Sequence, residues 1–255
     1  MSIPIVLTAF GTTAKAFETY GIMDEIFQER FKKNPVLWAY SSRMVKSSMK
    51  KNKKVDIKDP GEVLEELKAK GHEWAVVQSL HLICGHEFDR LVTIAEKSII
   101  RTSMGLPLLT SAKDYMETAN ALKTIMPQSN DEAVVFVGHG TDHPAWTAYP
   151  ALEQIMRKKY GSQIFSGVVE GYPEMEDTIN KVKQNGFKKV KLVPFMLVAG
   201  VHFNEDLTKN EDSWEKTFQK NGIKVSVVDH GAGKLKPITE IFCRHIKEAL
   251  DVIPV

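Results

Sequence analysis

Cysteine is scarce in this chain. Cys84 and Cys243 are the only two in 255 residues, and they form no spacing motif. Cys84 lies in an apolar run and reads as a reduced core thiol, in keeping with a reducing compartment. An excess of one charge is missing too. The formal net charge is +2, so no global polycation argues for nucleic acid. No apolar run is long enough to span a bilayer. Met1-Ser2 leads into Ile3-Pro4-Ile5-Val6-Leu7 without a basic segment, which suits a first strand better than a leader, and the expectation is a cytoplasmic protein. There is no Walker loop and no Gly-x-Gly-x-x-Gly after any candidate strand, and Asp142-His143-Pro144 lacks the nucleophile elbow of a hydrolase. These absences argue against a nucleotide-dependent enzyme.

What is present is enough apolar material for a real core, with 43% hydrophobic residues. Short β-rich runs alternate with amphipathic stretches. Ile3 to Ala9, Val36 to Tyr40, Trp74 to Ser79 and Leu106 to Thr110 read as four strands, followed by Ala133 to Val137, Ile164 to Val169, Lys189 to Pro194 and Lys224 to Val228. Helical patterns separate them, and Asp59-Pro60-Gly61-Glu62 marks one helix start. Nearly continuous apolar strands are those of parallel sheets covered on both faces. The expected fold is α/β, with two similar doubly wound halves whose parallel sheets face a central cleft. The halves are read as 1–127 and 128–255, with the seam at the polar segment Pro127-Gln128-Ser129-Asn130-Asp131. Arg43, Lys46, Lys50, Lys51, Lys53 and Lys54 crowd one stretch, which reads mostly as a solvated loop and otherwise suits a polyanionic ligand.

Two echoes superpose the halves. Leu80-His81-Leu82-Ile83-Cys84-Gly85-His86-Glu87-Phe88 matches Phe195-Met196-Leu197-Val198-Ala199-Gly200-Val201-His202-Phe203. Upstream, Thr8-Ala9-Phe10-Gly11-Thr12 matches Val137-Gly138-His139-Gly140-Thr141. His139 replaces Phe10 and His202 replaces Glu87, so one copy is expected to hold metal chemistry. Taken singly the signals are weak: a Gly-His-Gly histidine is more often an ordinary loop residue, Glu170 before Gly171-Tyr172-Pro173 suits the start of a helix, and His202 suits a surface. Their joint placement at strand ends changes the weighing, because ligands of such folds bind beyond the carboxyl ends of the strands. Two imidazoles and a carboxylate form a set for Co²⁺, Ni²⁺, Fe²⁺ or Zn²⁺, with coordination positions left open. His143 and His86 are expected at the rim of that site, and His72 and His245 on the surface.

With these residues in view, the chain resembles the class II chelatases, specifically the anaerobic sirohydrochlorin cobaltochelatases of the CbiK type. The resemblance rests on Phe10-Gly11-Thr12, Gln78-Ser79-Leu80-His81, Val137-Gly138-His139-Gly140-Thr141-Asp142-His143, Val169-Glu170-Gly171-Tyr172-Pro173-Glu174, Pro194-Phe195-Met196-Leu197-Val198-Ala199-Gly200 and Asp212-Ser213-Trp214. It implies insertion of Co²⁺ into sirohydrochlorin without a nucleotide, in oxygen-independent cobalamin synthesis, with Co²⁺ as substrate metal. It maps the metal-binding and catalytic roles onto His139, Glu170 and His202. Sirohydrochlorin is a polycarboxylate, so its periphery should meet cations and hydrogen-bond donors. Arg43, Ser41, Ser42, Thr12, Thr141 and Ser79 are the expected donors. Phe10, Met44 and Leu80 are expected against the macrocycle, with Gly11, Gly140 and Gly200 allowing close approach and His81 and Glu87 lying opposite the metal loop. An Fe²⁺ or Ni²⁺ chelatase, and a non-catalytic tetrapyrrole or metal carrier, remain the alternatives. Neither a nucleic acid nor a membrane is expected as a partner, and a homo-oligomer is left open.

Overall fold

The computed structural model describes residues 2–12, 17–53, 57–127, 129–200 and 205–254. The chain divides into two compact units, Met1–Thr110 with Lys236–Val255, and Ser111–Leu235. In the first, β1 (Ile5–Ala9), β2 (Val36–Tyr40), β3 (Trp74–Ser79) and β4 (Arg101–Gly105) form a parallel sheet in the order β2-β1-β3-β4. In the second, β5 (Glu132–Gly140), β6 (Ile164–Glu170), β7 (Lys189–Pro194) and β8 (Lys224–Val227) repeat it as β6-β5-β7-β8, again all parallel. The same strand order in both units is the structural form of the sequence echoes. Ile5, Val6 and Leu7 of β1, and Ala133 to Val137 of β5, are buried without alternation, because helices cover both faces of each sheet.

The first unit carries α1 (Glu18–Arg30), α2 (Arg43–Ser48), α3 (Pro60–Ala69) and α4 (His86–Glu96). The second carries α5 (Ala112–Ala121), α6 (Ala148–Tyr160), α7 (Met175–Gln184) and α8 (Trp214–Lys220). The last helix, α9 (Lys236–Asp251), returns to the first unit. Asp59 starts α3 through a capping box with Glu62, with Pro60 in the first turn where its missing N–H costs nothing. Ser111 and Asp114 do the same for α5. In the second core, the absent side chain of Gly167 leaves room for the fully buried Trp214 ring, which a Cβ would meet at 2.2 Å.

The fourth strand is not Leu106 to Thr110. It is Arg101–Gly105, paired with Trp74 to Gln78 of β3. The apolar run is misleading because Leu108 and Leu109, though buried, belong to the loop beyond the strand. Their N–H groups donate to the carbonyls of His81 (3.0 Å) and Leu82 (2.9 Å). The strand ends where Gly105 lies so close to Gln78 that a Cβ would sit 1.9 Å from its Oε1.

The compact units also divide elsewhere than at residue 127. The Tyr160 hydroxyl of α6 donates to the Ala119 carbonyl of α5 (2.9 Å), tying α5 to the second unit. The apolar stripe Ile238, Ile241, Phe242, Ile246 and Ala249 of α9 is buried, and α9 packs on β3, β4 and α1. Ser103 Oγ donates to the Ala249 carbonyl (2.7 Å). His245, expected on the surface, is buried within this contact, with Nδ1 2.9 Å from the Leu106 carbonyl oxygen. Cys84, expected in the core, is half-buried, and its Sγ lies 3.6 Å from Thr110 Oγ1. Neither cysteine forms a disulfide among the described residues, and burial pushes the Cys243 thiol up to about 12.

Candidate active site

Strand β5 runs three residues past the apolar core and carries Gly138, His139 and Gly140 to the carboxyl edge of its sheet. Gly140 pairs with Glu170 at the end of β6, so the turns bearing His139 and Glu170 lie side by side. Both side chains are exposed. Gly140 has φ +93°, and a Cβ there would stand 1.7 Å from the Glu170 carbonyl oxygen; only glycine satisfies both conditions. Gly171, at φ +91°, then turns the chain away from β6. The Tyr172–Pro173 bond is cis, and the Val168 N–H donates back to the Pro173 carbonyl (3.0 Å).

The histidines here differ in what their rings can do. His139 Nδ1 lies 3.4 Å from the Gly140 carbonyl oxygen, a long contact that favours a proton on Nδ1 and leaves the Nε2 lone pair for a metal. His143, expected at the rim, accepts the Ala145 N–H on Nδ1 (3.1 Å) at the start of the turn that leads into α6. In its neutral form the proton then sits on Nε2, and no lone pair remains for a metal. Thr141 Oγ1 accepts the His143 N–H (3.1 Å).

The third expected ligand, His202, lies outside the described residues. Among the described residues no group of three His, Cys, Asp or Glu side chains is close enough to hold a metal. The segment leading to His202 is fixed. Phe195 N–H donates to the Val137 carbonyl (2.8 Å), while the Ala232 and Gly233 N–H groups donate to the Met196 (2.7 Å) and Leu197 (2.9 Å) carbonyls. Gly231 lies against that segment, and a Cβ would meet the Leu197 and Met196 carbonyl oxygens at 2.6 and 2.7 Å.

The first unit builds the same edge with other chemistry. Leu80 N–H donates to the Thr8 carbonyl (2.8 Å), the counterpart of Phe195 on Val137. Phe10, at the position of His139, is 45% exposed, and Met44 is 78% exposed. Leu80, expected on the same apolar face, is in the core instead. Arg43 is exposed in the first turn of α2, whereas Ser42 caps that helix by accepting the Val45 N–H (3.3 Å). Lys46 pairs with Asp59 and Glu62, so it serves the start of α3. Thr12 and Ser79 are buried. Ser79 Oγ lies 2.8 Å from His81 Nδ1. The other ring nitrogen of His81 is shut off from solvent with no hydrogen-bond partner among the described residues. Burial pushes the imidazole down to about 4, with the Glu87 charge opposing that fall. Glu87 is held by Ser41 Oγ, which donates at 3.0 Å, and by Arg90.

Two tyrosines that the sequence reading did not single out touch these turns. Tyr149 of α6 accepts the Gly140 N–H on its hydroxyl (3.2 Å), and Tyr20 of α1 accepts the Gly11 N–H. Each lies nine residues after its glycine, an offset the echo would have revealed had it been extended.

The family model described as "Cobalt chelatase (CbiK)" matches residues 4–251. A sirohydrochlorin cobaltochelatase of Salmonella typhimurium is 34% identical over 220 residues, covering 84% of this chain and 83% of the relative. The sirohydrochlorin cobaltochelatase CbiKC of Nitratidesulfovibrio vulgaris is 30% identical over 259 residues, covering 98% of this chain and 91% of the relative. Among solved structures, the sirohydrochlorin chelatase SirB of Bacillus subtilis in complex with cobalt superposes with a TM-score of 0.69 at 15% identity, covering 98% of this chain and 96% of that one. At that identity the likeness speaks for the fold.

Proposed function

The chain belongs to the CbiK cobalt chelatase family, and from that premise we propose that it is a sirohydrochlorin cobaltochelatase. It inserts Co²⁺ into sirohydrochlorin and releases two protons, without a nucleotide, in a cytoplasmic step of cobalamin synthesis. The observation that supports the site assignment is the Gly140–Glu170 backbone pairing, which brings the turn bearing the exposed His139 next to the end of β6, where Glu170 is exposed.

The chemistry follows from what insertion requires. A planar macrocycle holds its nitrogens inward with two of them protonated, so metal entry is slow. The enzyme must hold the dehydrating ion beside the ring and accept two protons. His139 offers Nε2 to the ion, and His202 is the second imidazole by family resemblance. Glu170 offsets the charge of the ion and helps take the protons. Neutral imidazole suits both duties. The exposed Phe10 and Met44 offer apolar surface to the macrocycle, and Arg43 offers a cation to its carboxylates. Ser41, Thr12 and Thr141 are the hydroxyls expected to donate to those carboxylates. Glu87 is the residue of the first copy that the sequence echo matches to His202.

The test is anaerobic mixing of the protein with sirohydrochlorin, followed by Co²⁺, Fe²⁺ or Ni²⁺ in separate runs. Enzyme-dependent conversion to the metallated absorption spectrum, fastest with Co²⁺, is the expected result. A shifted spectrum of bound ring without insertion would make the protein a carrier. His139→Ala should abolish insertion with an unchanged melting temperature, since the hydrogen-bond contact of the ring among the described residues is a long one.

A further inference from the structure

The turns that carry Phe10 and His139 are held by one device used twice. Gly11 and Gly140 both have positive φ, at +99° and +93°, and both donate their N–H to a tyrosine hydroxyl nine residues on. Each tyrosine is buried in its own unit, with its hydroxyl brought to the carboxyl edge of the sheet. In the second unit the device needs a further concession. A Cβ on Gly138 would meet the Tyr149 ring at 2.2 Å, so a glycine sits where the first unit has Ala9. The residue between is exposed in both cases, and it is the one that differs: phenylalanine in the first copy, histidine in the second. A tyrosine kept only to fill the core has no reason to place its oxygen on the same backbone donor in both units.

We infer that Tyr20 and Tyr149 are positioning residues that fix the turns after β1 and β5, Tyr149 setting the direction of His139 toward the incoming ion and Tyr20 setting that of Phe10 toward the macrocycle. This rests on the assignment of His139 as a metal-holding residue. A part-buried N–H held by one hydroxyl loses its partner when that oxygen is deleted, and the turn then samples other directions. The two tyrosines therefore act on different substrates of one reaction. Tyr149→Phe keeps the ring and loses the acceptor; it should raise KM for Co²⁺ by about tenfold while leaving KM for sirohydrochlorin near wild type. Tyr20→Phe should do the reverse.

The experiment measures both KM values for both variants, and titrates Co²⁺ into each protein without sirohydrochlorin, reading the visible absorption of the bound ion. Weakened Co²⁺ binding in Tyr149→Phe and unchanged binding in Tyr20→Phe supports the inference. Equal changes in both variants, or none in either, overturns it. Exchange of the Gly11 and Gly140 amide protons in the unmodified protein gives a reading independent of variant folding: both should be protected, and free exchange at Gly140 would overturn the assignment. His139→Ala separates the two levels. If that variant still inserts cobalt, the site assignment fails; if it is inactive while Tyr149→Phe binds Co²⁺ normally, only the role of Tyr149 fails.

Discussion

Single atoms decide much of this site, and glycine shows how. Gly140 and Gly186 both have positive φ, +93° and +81°, but nothing lies within 4 Å of a Cβ built on Gly186. Gly186→Ala should therefore cost only the backbone strain of about 1–2 kcal/mol. Gly140→Ala adds a collision with the Glu170 carbonyl, and should lose more stability than that together with all chelatase activity; urea unfolding and a single-turnover assay of the two variants check the contrast. His81 gives a second residue-scale expectation. Its folded imidazole titrates near 4, below the usual value, so it stays neutral in the native state while the unfolded chain takes up a proton. The native advantage is whole above about pH 6.5 and is lost progressively as pH falls toward 4. The loss is on the order of 3 kcal/mol. The stability of wild type should thus fall more steeply between pH 7 and 4.5 than that of His81→Asn. At this scale the sequence revealed which residue types matter but not what they touch. His139 and His143 look alike in a string of letters, and only the Ala145 N–H on one ring separates a free lone pair from a spent one. Leu80 and His245 were misplaced for the same reason, because an isolated side chain does not declare which neighbour buries it.

The elements were more legible than their ends. Strands such as Ile5–Ala9 and Lys189–Pro194 stand out because burial on both faces demands unbroken apolar runs. The edge strand Arg101–Gly105 was missed because a polar, half-exposed edge carries no such run, while the apolar Leu106 to Leu109 beside it belongs to a loop. That loop has a job at the scale of elements. The segment after β4 donates to the segment after β3, and the segment after β8 donates to the segment after β7, so each site-bearing loop is pinned by its neighbour. Gly231→Ala is expected to push Met196 and Leu197 away and so shift the chain that leads to His202. Insertion should slow by at least tenfold with little change in binding of the ring, as a stopped-flow record that separates the two steps would show.

The whole molecule is a duplication with one exchange of helices. Order, direction and strand count repeat between the units, and the echoes in the sequence announced this. They did not announce that α9 closes the first unit, because a helical stripe of Ile238, Ile241, Phe242 and Ile246 fits any apolar surface equally well on paper. Removal of residues 236–255 should therefore expose β3, β4 and α1 and leave the second unit folded. Hydrogen exchange mapped along the truncated protein should show lost protection in residues 1–110 and retained protection in 111–235. The same return of α9 bears on how the protein is made. Synthesis delivers residues 111–235 as one uninterrupted stretch that can fold while the ribosome is still at work. The first unit, though begun earlier, stands with an uncovered apolar face until residues 236–255 emerge, so it is completed after the second unit. During that interval the nascent chain carries a patch that invites chaperones or another chain's α9, and the rate at which the second unit is translated sets how long the invitation lasts.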